Sequence, residues 1–201
     1  MPALSESGIE ILLAPYTPKN QLLAGRLSEY LDLLLRWNAR TNLTAIRQPQ
    51  EIVRRHFGES LFAAEHLGEQ LPPTLLDLGS GAGFPGLPIA LAHPEIAVIL
   101  AESQNKKSTF LREAVRTLGL KNVEVWAARA ETFPAGRSFH TVTMRAVDDM
   151  AAALKAADPL ASNQLLLLTT GEPELPETFQ VRETLPIPGS DSGILLRATR
   201  T

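Results

Sequence analysis

Between Leu75 and Pro88 a short apolar run ends in an acid, Asp77, and a glycine cluster then opens onto a helix-compatible stretch. Gly79, Gly81, Gly83 and Gly86 punctuate that cluster, and the last three make a literal G-x-G-x-x-G spacing. This is how a first parallel strand hands its chain to a first helix beside a nucleotide-type cofactor. Glycines there permit positive φ and let backbone approach a ligand closely. A tight strand-to-helix turn with no ligand is the plain alternative.

Two acids separate the cofactors. The next apolar run, Ala97 to Ala101, ends at Glu102, 25 residues after Asp77. An acid at the end of a second strand is placed to accept hydrogen bonds from ribose hydroxyls. NAD and S-adenosylmethionine both carry that ribose, so Glu102 does not decide between them. Asp77 discriminates better, because a carboxylate at the mouth of the first strand suits a cationic ligand and repels a pyrophosphate. The pair favours the methyl donor.

Composition bounds what else the chain can be. It has 201 residues, 44% hydrophobic and 20% charged, which suits one folded domain with an appendage. Without cysteine, disulfides, thiolate metal sites and cysteine nucleophiles are excluded. The four histidines have no metal-ligand spacing, so no metal is expected. The start lacks a basic region followed by an apolar one, and no run approaches the ~20 residues that span a bilayer. A cytoplasmic protein with no membrane partner is expected. The net charge is −3, yet Arg36, Arg40, Arg47, Arg54 and Arg55 face a single acid, Glu51, between residues 36 and 56. That local excess is the expected nucleic-acid face, with Lys106 and Lys107 as further candidates.

Patterning supplies the elements that must hold these residues. Residues 1–70 read as a helical region, RNA-facing or lid-like, and residues 71–201 as the catalytic domain, with Gln70 to Pro73 as the joint. Thr17-Pro18 reads as an N-cap and first-turn pair for a helix carrying Leu23, Leu27, Leu31 and Leu34. A loop is expected from Asn38 to Gln48, and Pro49 opens the next helix. Strands are expected at 75–78, 98–101, 123–127, 141–144, 165–169, 179–184 and 194–198. Helices fit 86–91, 106–118 and 150–157. Five β-α units and a terminal strand pair predict an α/β, Rossmann-like class I methyltransferase fold. Its seven-stranded, mostly parallel sheet would carry helices on both faces and an N-terminal helical extension.

Several segments together resemble one family, the glucose-inhibited division protein B family of bacterial 16S rRNA guanine-N7 methyltransferases. They are Trp37-Asn38 with Thr41 to Ile46, Glu51 with His56, and Asp77 to Gly86. Glu102-Ser103, Lys106-Lys107, Phe110-Leu111, Asn122-Val123, Arg129 to Glu131, and Arg145-Ala146 follow. The likeness runs from about Leu31 to Leu168. The glycine loop is common to many methyltransferases, whereas the Asn-Leu-Thr box and the Phe-Pro-Gly loop ending are more particular. Where the family has a Lys-Gly pair after the fifth strand, this chain reads Thr170-Gly171, which puts a cation's role there in doubt.

The resemblance implies methylation of guanine 527 of the small-subunit RNA at N7, within that subunit or an assembly intermediate, by a monomer. It also implies a cofactor pocket of Gly79, Phe84, Ala130, Glu131 and Arg145. Arg145, ending the fourth strand, is the first candidate catalytic residue and Arg129 the second. A charged side chain among Thr143, Met144 and Ala146 needs a partner, so a structural ion pair is the alternative for Arg145. N7 presents its lone pair without losing a proton, so positioning and electrostatics should carry the rate. A dinucleotide oxidoreductase, a non-catalytic RNA-binding factor and a methyltransferase of another acceptor remain the competing readings.

Overall fold

The computed structural model describes residues 2–201. Strands β1 (Thr74–Leu78), β2 (Ala97–Ala101), β3 (Val123–Trp126), β4 (Phe139–Arg145), β5 (Ala161–Thr169), β6 (Phe179–Pro186) and β7 (Ile194–Arg200) form one sheet. Their order is β3-β2-β1-β4-β5-β7-β6. The first five are parallel, and β7 lies antiparallel between β5 and β6. All seven predicted strands are present, several extended by a few residues. The chain winds outward through β2 and β3, then returns to β4 on the other side of β1. The β1/β4 boundary is therefore the point where the winding reverses and loops part to leave a crevice.

Strand apolarity explains the layers. Leu75, Val98, Leu100, Leu166 and Leu168 feed one core, while Leu76, Ile99, Leu165 and Leu167 feed the other. Successive side chains alternate between faces, so runs apolar at every position are buried on both. The second face is covered by α7 (Met150–Ala157) through Ala153, Leu154 and Ala157. The first face carries α5 (Gly86–Ala92) and α6 (Asn105–Thr117) together with the N-terminal helices. Those are α1 (Glu6–Leu13), α2 (Asn20–Thr41), α3 (Pro49–Glu51), a π-helical segment Ile52–Gly58 and α4 (Glu59–Glu65). One apolar core runs from Ile9 through Tyr30 and Phe57 to Leu195.

Three local expectations are corrected. Helix α2 begins at Asn20, not after Thr17, and Lys19 caps it without a side-chain bond. Thr17 instead accepts the Lys19 N–H at 3.0 Å and donates to Glu65 at 2.8 Å, which ties the preceding turn to α4. Helix α2 also continues through Asn38 to Thr41, and Asn42 ends it at φ 48°. Asn38 stays helical because its side chain points inward, accepting from Thr44 N–H and donating to the Thr44 carbonyl, each at 3.0 Å. The helix opened by Pro49 is present, but its middle is the unforeseen π-helical turn.

Candidate active site

The loop after β1 is held from three sides. Gly79 and Ser80 donate their N–H groups to the Ala101 carbonyl, both at 3.0 Å. Gly81 N–H donates to Glu102 Oε2 at 3.0 Å, and Gln104 N–H to Oε1 at 2.7 Å. Tyr30 on α2 donates its hydroxyl to the Ala82 carbonyl. Gly79, Gly81 and Gly83 all have positive φ, at 73°, 58° and 92°. Their roles nonetheless divide. A Cβ on Gly83 would come within 2.4 Å of Leu87 and 2.6 Å of Tyr30 Oη, so that glycine serves packing. A Cβ on Gly79 would meet nothing within 4 Å, because it points into open space.

That space is a cavity of about 600 Å³. Gly79, Glu102, Arg129, Ala130, Glu131, Asp148 and Asp149 are among the residues that line it. Four carboxylates against one guanidinium suit a sulfonium or ammonium ligand and oppose a pyrophosphate. Gly79 and the small side chains of Ala101, Ala128 and Ala130 leave an adenosyl group flat backbone to lie on. The residues present therefore fit S-adenosylmethionine: Glu102 would meet ribose hydroxyls, and Ala130 and Glu131 would border the adenine.

Several expected pocket residues lie elsewhere. Phe84 is buried outside this cavity, stacked on Tyr30 at 5.4 Å and on His56 at 4.8 Å between ring centroids. Its neighbours Pro85 and Gly86 turn it toward the helices, away from the opening. Asp77 is fully buried, and its Oδ2 accepts the Gly86 N–H at 3.0 Å. Burial pushes its carboxyl up to about 7, against the opposing pull of the Gly86 N–H, so it offers a ligand less charge than expected. Gly81 and Gly83 shape the loop from behind and do not line the opening.

Arg145 stands in a second, smaller cavity of about 210 Å³, lined also by Arg55, Glu59, Ala146, Val147, Thr170 and the turn between β6 and β7. Its partners come from the π-helical segment and from Glu59, the first residue of α4. Nε donates to Glu59 Oε2 at 3.2 Å, with Nη2 3.1 Å from the same oxygen as an ion pair, while Nη2 donates to the Arg55 carbonyl at 2.8 Å and Nη1 to His56 Nδ1 at 2.9 Å. An arginine only donates, so Nδ1 accepts and the ring proton sits on Nε2, facing Thr44 Oγ1 at 2.7 Å. Burial, then Arg145 and Arg55, lower the His56 pKa to about 3, which keeps the ring neutral. The ion-pair alternative for Arg145 is thus realised, and it faces the second cavity rather than the first.

The two cavities share Val147. Before it stands Ala146 at φ 51°, an unusual conformation for a residue with a Cβ. Sequence reading missed Ala146, Glu59 and Tyr30, and it found no use for the β6–β7 turn that supplies Ser190 and Ser192. An acid among the apolar residues of 52–64 was the available signal for Glu59. Nothing local marks the others.

The basic cluster is uneven. Arg54 pairs with Glu51 at 2.9 Å and Arg55 with Glu59 at 2.7 Å. Arg47 donates to the Asn38 carbonyl at 2.8 Å and to Asn42 Oδ1 at 2.6 Å, tying down the end of α2 with its charge uncompensated. Arg40 and Arg36 are exposed beside Trp37 in a hollow between α2 and α6 that also holds Glu113. Lys106 and Lys107 open α6. Among the described residues no group of acids, histidines and cysteines could hold a metal, and no helix is long and apolar enough to cross a membrane.

A seven-stranded sheet of this order, a glycine loop over an acid-lined crevice and an acid ending β2 define a class I methyltransferase. Solved structures agree on the fold. The magnesium protoporphyrin IX methyltransferase of Synechocystis, solved with S-adenosylmethionine, superposes with a TM-score of 0.61 at 16% identity, covering 86% of this chain and 97% of that one. The sequence is narrower in its likeness. Residues 24–188 match the family described as GidB, rRNA small subunit methyltransferase G, and the chain belongs to that family. The ribosomal RNA small subunit methyltransferase G of Stenotrophomonas maltophilia is 40% identical over 191 residues, 92% of this chain and 84% of the relative. That of Nitrosospira multiformis is 39% identical over 198 residues, 90% and 89% respectively.

Proposed function

We propose that the chain transfers the methyl group of S-adenosylmethionine to N7 of a guanine in small-subunit ribosomal RNA. Family membership and relatives named for methylating that RNA support the enzyme class and cofactor. The finer reading rests on one observation: the acid-lined cavity and the Arg145 cavity adjoin at Val147. A donor in the first and a base in the second would meet there.

The bound cofactor supplies a methyl group on a positively charged sulfur. The N7–carbon bond forms as the carbon–sulfur bond breaks, the electron pair leaving on sulfur, and no proton is removed. The protein's share is to hold both partners in line and to keep fixed charges where they help. Glu102, Glu131, Asp148 and Asp149 favour the cation on the donor side. Arg145 is anchored on the base side, where its charge suits O6 or a phosphate better than the positive ring of the product. Arg129 lies on the donor side, whereas Arg145, with Arg55 beside it, lies on the acceptor side. The RNA strand around the target would cross Arg40, Arg47, Lys106 and Lys107, with residues 1–70 as the RNA-facing part. The substrate is then the small subunit or its assembly intermediate, met in the cytoplasm by a monomer.

The test is nucleoside mass spectrometry on small-subunit RNA treated with the protein and labelled S-adenosylmethionine. The label should appear as 7-methylguanosine. Label on another atom would move the acceptor assignment. Binding of NAD with none of S-adenosylmethionine would favour the oxidoreductase reading instead.

A further inference from the structure

The lining of the Arg145 cavity divides into a buried floor and an exposed rim. The Arg145 and Glu59 side chains are 12% and 8% exposed, and Leu168 and Ile187 are buried with them. The Arg55 side chain is 49% exposed, and Thr170 and Ser192 are exposed too. The charges do not cancel. Arg55 and Arg145 bring two positive charges and Glu59, the one acid lining the cavity, brings one negative, which leaves one positive. Arg54 differs, since its pair with Glu51 sets one arginine against one acid, whereas Glu59 is shared by two. Arg55 bonds Glu59 Oε1 through Nε alone, at 2.7 Å, so both its Nη groups are without a partner among the described residues. The hydroxyls of Thr170 and Ser192 are likewise unpartnered there, and Asp191 does not line the cavity.

We propose that this rim holds a phosphodiester joined to the acceptor nucleotide, with Arg55 supplying the charge and the hydroxyl-bearing rim the surroundings. This rests on the reading above that the acceptor base enters this cavity. A base that reaches the floor leaves its own backbone at the mouth, where its sugar carries a phosphodiester on either side. Unpartnered guanidinium nitrogens and hydroxyls are the donors that phosphate oxygens take. A half-exposed position suits an anion that keeps part of its hydration, because full burial of a charge costs far more. Such a contact carries no sequence information. It positions the nucleotide against the methyl donor, which makes Arg55 a positioning residue. Thr170 is then a place from which a longer, charged side chain would meet the same anion.

The experiment measures binding of the whole protein to small-subunit RNA across a salt series. The RNA is either unmodified or carries one neutral methylphosphonate linkage, on the 5′ or the 3′ side of the target guanosine. Arg55→Gln should flatten the slope of log K against log salt by roughly one unit and keep calorimetric affinity for S-adenosylmethionine. The substitution retains the Arg55 carbonyl, and Arg145 still pairs with Glu59. Thr170→Lys should steepen the parent slope by roughly one unit and restore the slope in Arg55→Gln, a rescue that a purely structural role for Arg55 does not provide. One of the two methylphosphonates should flatten the parent slope as Arg55→Gln does, and the two changes together should do no more than either alone. A parent slope in Arg55→Gln, no rescue by Thr170→Lys, or additive effects at both linkages would overturn the proposal. If Arg55→Gln fails to fold, Thr170→Lys on the two modified RNAs decides, since its gain must vanish at one of those linkages. Absence of 7-methylguanosine on the unmodified RNA would instead remove the acceptor reading on which this rests.

Discussion

Asp77 shows how one residue's role changes once its surroundings are known. Its Oδ1 is the single buried side-chain oxygen or nitrogen without a partner among the described residues. Its folded pKa, about 7, lies above the ordinary carboxylate value, so between roughly pH 4 and 7 the folded state binds the proton more tightly than the unfolded one. Stability from this group is therefore present at low pH and lost as pH rises through 7. Asp77→Asn keeps an acceptor for the Gly86 N–H without the charge. Its stability relative to the parent should rise across that window in urea melts, and a flat difference from pH 4 to 8 would refute it. Gly79 allows a cleaner test of the cofactor cavity. Gly79→Ala and Gly119→Ala both place a Cβ at positive φ with nothing within 4 Å, so they share the same backbone strain. Only Gly79→Ala should weaken S-adenosylmethionine binding in calorimetry, and equal effects would mean the cavity is misassigned. Gly79 and Glu102 were legible in the sequence because residue type and distance from a strand end suffice to place them. Phe84 and Asp77 were not, since their orientation depends on helices that arrive from elsewhere in the chain.

At the scale of elements, the N-terminal helices brace the loop that borders the first cavity. Tyr30 is fully buried on α2, packs on Phe57, Phe84 and Phe110, and holds the loop by the Ala82 carbonyl. Phe84 in turn stacks on His56, which holds Arg145. One column of rings thus links the loop of the first cavity to the arginine of the second. Removing the tyrosine hydroxyl leaves a buried carbonyl unpaired, a loss of about 1–3 kcal/mol. Tyr30→Phe should therefore lower the melting temperature and weaken cofactor binding several-fold, with the sheet intact by circular dichroism. Parent-like affinity would mean the loop is rigid without α2. The strands and α5, α6 and α7 were legible because apolar runs and their spacing are local signals. The π-helical turn was not: its sequence reads as an ordinary amphipathic helix. What it faces is the Arg145 guanidinium, 90 residues further along the chain. Asn38, four residues ahead of the Asn-Leu-Thr box, closes the loop by accepting the Thr44 N–H, and Thr44 braces His56.

The whole molecule is acidic, so attraction to RNA must be local, and the ion pairs decide where. Of the arginines between 36 and 56, Arg54 and Arg55 have carboxylate partners, whereas Arg40 and Arg47 have none among the described residues. Each phosphate contact that releases counterions adds about one unit to the slope of log K against log salt. Arg40→Gln should flatten that slope by roughly one unit, since a full charge leaves an exposed surface. Arg54→Gln should weaken binding similarly only if its bond to Glu51 opens in the complex, and otherwise leaves Glu51 newly unpaired against the RNA. Glu51→Gln separates these cases, because it frees Arg54 and should tighten binding if this face meets phosphate. The measurement is filter binding to small-subunit RNA across a salt series, with S-adenosylmethionine affinity as the control that the fold is unchanged. Parent slopes in Arg40→Gln and parent affinity in Glu51→Gln would move the RNA path off this face, toward Lys106 and Lys107 on α6.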